Sequence, residues 1–77
     1  MKKPRSEEES LYLKKLGENI SKIGIEKGIA PKVVYETLEI DRSNYRRIIA
    51  GRTNPSILLL RKIAKALEVE MKELVSF

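Results

Sequence analysis

The spacing of the apolar residues restricts the fold of this chain more than any other feature of its sequence. Near the amino terminus apolar residues recur at intervals of three, four and three positions, at Leu13, Leu16, Ile20 and Ile23. This spacing places them on one stripe of an α-helix. No stretch alternates apolar and polar residues between turn signals, as a half-buried strand does. The sequence therefore predicts an all-α fold.

Capping signals divide the chain into five predicted helices. Ser6 and Glu9 have the spacing of a capping box, and Gly28 is typical of a left-handed helix end, so the first helix is expected over about 7–27. We expect a mobile charged tail over residues 1–9 and a single domain over residues 10–77. An alternative function for the tail is a basic arm that follows a nucleic-acid backbone.

Two short helices are predicted next. Pro31 opens the second helix, which is expected to continue to about residue 39 with Val34 and Leu38 facing inward. Asp41 is a good N-cap for a third helix over about 42–50, and Gly51 ends it. The inward residues of the third helix are Tyr45 and Ile48.

The remaining residues predict a longer helix and a final short one. Asn54 and Pro55 repeat the cap-then-proline signature before a fourth helix. Its expected buried face consists of Ile57, Leu60, Ile63, Ala64 and Leu67. Glu70 is expected to cap a last turn whose apolar residues close the core, namely Met71, Leu74, Val75 and Phe77.

Composition excludes most function classes. The 77 residues hold 16 Lys and Arg against 11 Asp and Glu, and no cysteine or histidine. The pI near 9.6 is typical of domains that bind polyanions. Without histidine or cysteine the usual general bases, nucleophile activators and metal ligands are missing, so we expect no enzyme, no metal and no cofactor. The longest apolar run has four residues, Ile57–Leu60, so no membrane partner is expected and the predicted location is the cytoplasm.

The pattern with the clearest functional meaning is the pair of short helices between Pro31 and Ala50. In a DNA-binding helix-turn-helix the second helix of such a pair enters the major groove, so it is apolar inside and basic outside. Here the outward face of the third helix carries Arg42, Ser43, Arg46 and Arg47. The loop after this helix places Arg52, Thr53 and Asn54 where phosphate contacts are expected.

Motifs along residues 16–77 resemble the lambda-repressor-like, Xre-type helix-turn-helix regulators. The resemblance rests on five segments, Leu16–Ile20, Glu26–Ile29, Ile40–Ser43, Gly51–Ser56 and Lys62–Leu67, followed by Glu73 and Leu74. It implies a five-helix DNA-binding domain, usually dimeric, that acts on a roughly palindromic operator in double-stranded DNA and has no small-molecule substrate. The base-reading residues it implies are Arg42, Ser43, Arg46 and Arg47, with Asn44 at the edge. The implied phosphate contacts are Lys32, Arg52, Thr53 and Asn54.

Three residues depart from the family pattern inside the helix pair. Pro31 stands where the family usually has a glutamine that binds phosphate, and Tyr35 stands where a small residue lets the two helices cross. Glu39 occupies a turn position that is usually a left-handed glycine, so either the turn differs or a strain of about 1–2 kcal/mol is tolerated. These departures support an alternative function, in which a degenerate helix-turn-helix serves as a protein-interaction or antitoxin-like module.

Two further departures add apolar character to the surface. Gly24 and Ile25 replace residues that are commonly charged, and Leu58 and Leu59 lie where the fourth helix is commonly polar. Either the core is locally repacked around them, or they form an apolar patch for self-association.

Overall fold

The structure is a computed structural model that describes residues 4–77. This part of the chain forms five α-helices joined by short connections. They are α1 (Glu7–Lys27), α2 (Pro31–Thr37), α3 (Arg42–Ile49), α4 (Ile57–Ala66) and α5 (Met71–Leu74). Residues 4–77 contain no β-strand, which confirms the all-α prediction. None of the helices in this range combines the length and the apolar character needed to cross a bilayer.

The capping box predicted from Ser6 and Glu9 sets the start of α1. The Ser6 hydroxyl accepts a hydrogen bond from the Glu9 backbone N–H at 3.1 Å, and the Glu9 carboxylate accepts one from the Ser6 N–H at 3.0 Å. As a result α1 takes in residues 7–9, the last part of the predicted tail. Residues 1–3 of that tail lie outside the described residues, and its mobility stays a prediction.

The ends of α1 to α4 share one hydrogen-bonding pattern, although only two of them carry glycine. In each, a residue with positive φ donates its N–H to the carbonyl three residues back, and the next residue donates to the carbonyl five residues back. This is the Schellman motif. The four left-handed residues are Gly28 (φ 68°), Glu39 (φ 55°), Gly51 (φ 73°) and Glu68 (φ 60°).

Of two predicted N-caps, Asp41 is confirmed in position and Asn54 is wrong. Asp41 occupies the N-cap of α3 but its side chain makes no capping hydrogen bond. The cap of α4 is not Asn54 but Ser56, whose hydroxyl accepts from the Leu59 N–H at 3.1 Å, so Pro55 lies before the helix rather than at its first position. Serine and asparagine cap helices about equally well, so Ser56 takes this role because it directly precedes Ile57, the first residue of α4.

The core is built from the inward faces of all five helices. Its fully or nearly fully buried members are Leu13, Leu16, Ile20, Val34, Tyr45, Ile48, Leu60, Ile63, Ala64, Leu67 and Leu74. Ile23, Leu38 and Ile40 are half-buried against them, as is Leu59. Most inward residues predicted from spacing are therefore confirmed. Repacking of the core accounts for the apolar residue at Leu59, which is half-buried, but not for Leu58, which is exposed.

Three residues predicted to be buried are exposed. Ile57 is 68% exposed because it occupies the first position of α4, one turn before the buried stripe begins at Leu60. Val75 and Phe77 come after the end of α5 and are also exposed. The Phe77 ring instead lies against the ring of Tyr12, with 5.0 Å between their centroids.

Candidate nucleic-acid interface

The position of α3 is fixed on one side by two glycines that allow backbone-to-backbone contact with α1. A Cβ atom on Gly17 would lie 2.1 Å from the carbonyl oxygen of Ile49, at the end of α3. A Cβ atom on Gly51 would lie 2.5 Å from the Cα of Lys14, in α1. Because real Cβ atoms do not approach so closely, only glycine fits at both positions, and we call this contact the glycine seam.

On its other side α3 packs against α2 through side chains. Tyr35, the large residue at the expected crossing point, is half-buried, and its ring centroid lies 6.2 Å from that of Tyr45 in a tilted arrangement. Pairs of aromatic rings at this separation attract each other. Glu39 has φ 55°, so the turn keeps the left-handed geometry and the strain is tolerated. The structure thus accommodates both departures from the family pattern.

The two faces of α3 differ as the sequence predicts. Tyr45 and Ile48 are buried in the core, and burial raises the pKa of the Tyr45 phenol to about 12. The five side chains predicted to read bases are all exposed, namely Arg42, Ser43, Asn44, Arg46 and Arg47. One of them orients another, because the Arg47 guanidinium donates a hydrogen bond to the side-chain oxygen of Asn44.

Among the described residues, no carboxylate forms an ion pair with the arginines of α3. Within residues 4–77 the one ion pair joins Lys72 and Glu70, with 3.4 Å between the charged atoms. Both residues are far from α3 in the sequence. The charges of Arg42, Arg46 and Arg47 are therefore available to an external anion. An arginine can donate two parallel hydrogen bonds to a phosphate or to the edge of a guanine.

A groove of about 1200 Å³ runs beside the exposed face of α3, between that helix, the second half of α1 and the start of α2. We call it the α3 groove. Among the described residues its lining contains no carboxylate and five cations, Lys32, Arg42, Arg46, Arg47 and Arg52. The structure thus brings two predicted phosphate-binding residues, Lys32 and Arg52, together with three predicted base-reading residues. Pro31 lines the same groove without a polar side chain.

The remaining predicted residues lie outside this lining. Ser43 and Asn44 are exposed on α3, and Thr53 and Asn54 lie in the loop between α3 and α4, with Thr53 half-buried. Arg5 was not among the predicted contact residues, although it lies in the tail for which a basic arm was the alternative, and its guanidinium donates a long hydrogen bond of 3.4 Å to the backbone carbonyl of Arg52. The available signal was the cluster of basic residues near the amino terminus.

The exposed face of α3 suits the binding of an anion. In residues 4–77 no group of three or more histidine, cysteine, aspartate or glutamate side chains is close enough to hold a metal ion. The titrating residue with a clear shift, Tyr45, has a pKa far above neutral pH and is buried. What the surface offers is a row of exposed guanidinium groups beside an open groove.

Comparison with known proteins identifies relatives of this fold. A helix-turn-helix family model matches residues 24–74, which include α2, the turn and α3. Among solved structures, the restriction-modification controller protein C.AhdI from Aeromonas hydrophila is similar, with a TM-score of 0.75 and 29% sequence identity. The similarity covers 80% of this chain and 94% of the controller protein. No curated protein sequence matches the chain.

Proposed function

The chain belongs to the Xre-type, lambda-repressor-like helix-turn-helix family of DNA-binding transcriptional regulators, and we propose that it binds a specific sequence with α3 in the major groove. The finer parts of this proposal are a homodimer, a roughly palindromic operator and direct reading of bases by the arginines of α3. The similar solved structure is that of a controller protein, which supports a regulatory role for this chain.

The observation that carries the proposal is the orientation of the side chains of α3. Tyr45 and Ile48 hold the helix in the core, while Arg42, Arg46 and Arg47 extend into solvent without an ion pair to any described carboxylate. The glycine seam fixes the backbone of the same helix against α1. A well-packed helix whose guanidinium groups pair with no described carboxylate meets the needs of direct readout, because each bidentate contact depends on accurate placement.

Residues around α3 supply contacts to the DNA backbone in this proposal. Lys32, in α2, and Arg52, just after α3, line the α3 groove, and Thr53 and Asn54 come next in the exit loop. Arg5 lies beside Arg52 and extends the same basic surface. Such contacts set affinity and position but carry no sequence information, and they weaken as salt concentration rises.

The homodimer is supported by apolar side chains that the single chain leaves uncovered. Ile57 and Leu58 are about two-thirds exposed at the start of α4, and Val75 and Phe77 are exposed after α5. A second copy that covers such a surface forms a two-fold dimer, and a two-fold dimer matches a palindromic site with recognition helices about 34 Å apart. Two chains per palindromic duplex is the stoichiometry we expect.

The experiment that tests base reading compares two arginine variants. A preferred duplex is first selected from a pool with a randomised central segment, and affinities are then measured by fluorescence anisotropy. We expect Arg46→Ala to lower affinity for the selected duplex by about 1–3 kcal/mol, with a much smaller loss on random duplex. Arg52→Ala is expected to lower both affinities by similar factors, because a phosphate contact is independent of sequence.

Lys72→Ala is the matched control, since it removes an exposed cation of α5 that is paired with Glu70. It should change neither affinity beyond the weak effect of net charge. If Arg46→Ala and Arg47→Ala both bind the selected duplex as well as the parent protein, the direct-readout role is wrong. If the parent protein binds no duplex even at low salt, the proposed DNA-binding function itself is wrong.

A further inference from the structure

We propose that the α3 groove also binds an acidic amphipathic helix of a protein partner, which thereby competes with DNA. The groove forms part of the surface assigned above to DNA, so the competition, though not the peptide binding, rests on the proposed function. The inference comes from a combination that DNA recognition alone does not need, exposed apolar residues beside the cations of α3 in one groove.

The floor of the groove is apolar and accessible. Ile25, near the end of α1, is 79% exposed and lines the groove together with half-buried Ile29, Tyr35 and Ile49. Gly24, next to Ile25, adds no side chain to fill the space. Covering an isoleucine that is this exposed removes apolar surface from water and therefore favours a ligand that brings an apolar face of its own.

The rim of the groove specifies the charge of that ligand. Five cations and no described carboxylate line it, so a neutral or basic helix would leave these charges unpaired. Glu18 and Glu26 line a smaller neighbouring pocket that shares Ile25 and Ile49. The carboxylates of the ligand therefore belong on the α3 side of the groove. An acidic helix pairs its carboxylates with the arginines of α3 while its apolar face meets the floor. Complementary potentials of this kind steer association and exclude partners of the wrong sign.

A DNA duplex complements the charges of this groove but not its apolar residues. Its phosphates can pair with the arginines, but its backbone offers no continuous apolar stripe to cover Ile25 and the residues beside it. The dimensions instead suit a helix, whose diameter with side chains is about 10–12 Å and whose rise is about 5.4 Å per turn. Roughly two to three such turns have the volume of the groove, about 1200 Å³.

The test uses two synthetic peptides of equal composition. One has about 18 residues, with leucines at helical spacing on one face and glutamates on the other, and the second has the same residues in an order that forms no apolar face. Both carry a fluorophore, and binding to the full chain is followed by anisotropy. We expect the amphipathic peptide to bind at least about tenfold more tightly, and to displace duplex DNA.

An Ile25→Ser variant separates the two ligands. Ile25 is largely exposed, so the substitution should leave the fold intact, which thermal unfolding checks. We expect amphipathic-peptide affinity to fall about fivefold to tenfold while duplex affinity stays within about twofold. Arg46→Ala is expected to lower the affinity for both the peptide and the duplex, because the Arg46 charge pairs with the carboxylates of one and the phosphates of the other.

Four outcomes would overturn the proposal. Equal binding of the two peptides would mean that charge alone acts, and equal loss of duplex and peptide binding by Ile25→Ser would assign the floor to DNA. If the peptide binds without displacing the duplex, its binding site lies outside the α3 groove. If sedimentation shows that Ile25→Ser dissociates a dimer, a second copy covers the groove. Peptide binding by a protein that binds no duplex would instead refute the DNA function and leave the helix-binding groove in place.

Discussion

The two sides of α3 are held in different ways. Towards α1 the contact is between backbones, through Gly17 and Gly51, and leaves no space for a single added carbon. Towards α2 the contact is between side chains, where the rings of Tyr35 and Tyr45 meet, and the connecting turn contains a glutamate in the left-handed region. One side is rigid, and the other adapts through rotamers.

This difference explains how the helix pair keeps its form despite unusual residues. If α2 alone positioned α3, a tyrosine at the crossing and a strained Glu39 would displace the exposed arginines of α3. The glycine seam provides an independent reference, because backbone atoms cannot yield as side chains do. We infer that α1 sets where the arginines of α3 lie, and that α2 tolerates variation. Substitutions on the two sides should therefore differ in both size and consequence.

The largest effect is expected at Gly51. Gly51→Ala combines a left-handed φ of 73° with a Cβ placed 2.5 Å from the Cα of Lys14. The left-handed conformation costs alanine about 1–2 kcal/mol and the close Cβ contact about 1–3 kcal/mol, so we expect a loss of about 4 kcal/mol in the free energy of unfolding. Urea unfolding followed by far-ultraviolet circular dichroism measures it.

Gly28→Ala is the matched control for this substitution. Gly28 also has a positive φ, of 68°, but an added Cβ meets nothing within 4 Å. It should therefore show only the conformational cost, about 1–2 kcal/mol. Free energies of unfolding that agree within about 0.5 kcal/mol for the two variants would mean that the glycine seam is not tightly packed.

Gly17→Ala tests the other half of the seam. Its Cβ would lie 2.1 Å from the Ile49 carbonyl oxygen, whereas Gly24→Ala in the same helix places a Cβ 3.1 Å from the nearest backbone atom, the Ile29 carbonyl oxygen. Both alanines gain up to about 1 kcal/mol of helix propensity. We expect a net loss of about 2–3 kcal/mol at position 17 and less than about 1 kcal/mol at position 24. If urea unfolding shows a larger loss for Gly24→Ala than for Gly17→Ala, the close packing of the glycine seam is wrong.

Tyr45, on the adaptable side, should make stability depend on alkaline pH. Burial raises its pKa to about 12, from about 10 in the unfolded chain, so folding favours the neutral phenol. This contribution is complete below about pH 10 and is lost as pH rises towards 12, by at most about 2–3 kcal/mol. The measurement is the difference in unfolding free energy between the parent and Tyr45→Phe across this range. A difference independent of pH would contradict the burial argument.

Helix spacing and glycine signals predicted the fold well, because each reports a local physical requirement. The apolar stripe of α1, the cap at Ser6 and the stops at Gly28 and Gly51 could all be identified from neighbouring residues. The α3 groove could not, since it joins Ile25, Lys32 and Arg52 from distant parts of the chain. The exposed arginines were predicted from the spacing of a single helix. Their role as base readers stays a prediction.

The left-handed ends at Glu39 and Glu68 were harder to predict than those at glycine, for a physical reason. A glutamate by itself gives no signal for positive φ, and we attribute the conformation to the packing of the next residue. That residue is Ile40 in one case and Val69 in the other, and each packs against the core and donates its N–H group back into the preceding helix. An apolar residue just after a short helix is the signal that would have indicated both ends.

Glu39→Gly should give the smallest effect, and it acts on the turn between α2 and α3. Relief of a strain of about 1–2 kcal/mol, less the backbone entropy of glycine, predicts a gain of about 0.5–1 kcal/mol in unfolding free energy. Glu68→Gly, with φ 60° after α4, should gain a similar amount. Glu39→Gln removes the charge but keeps the strain, so it should not stabilise. If Glu39→Gly stabilises without moving α3, duplex affinity will match that of Glu39→Gln. A clear difference in affinity between these two variants would mean that the turn, and not only the glycine seam, sets the position of α3.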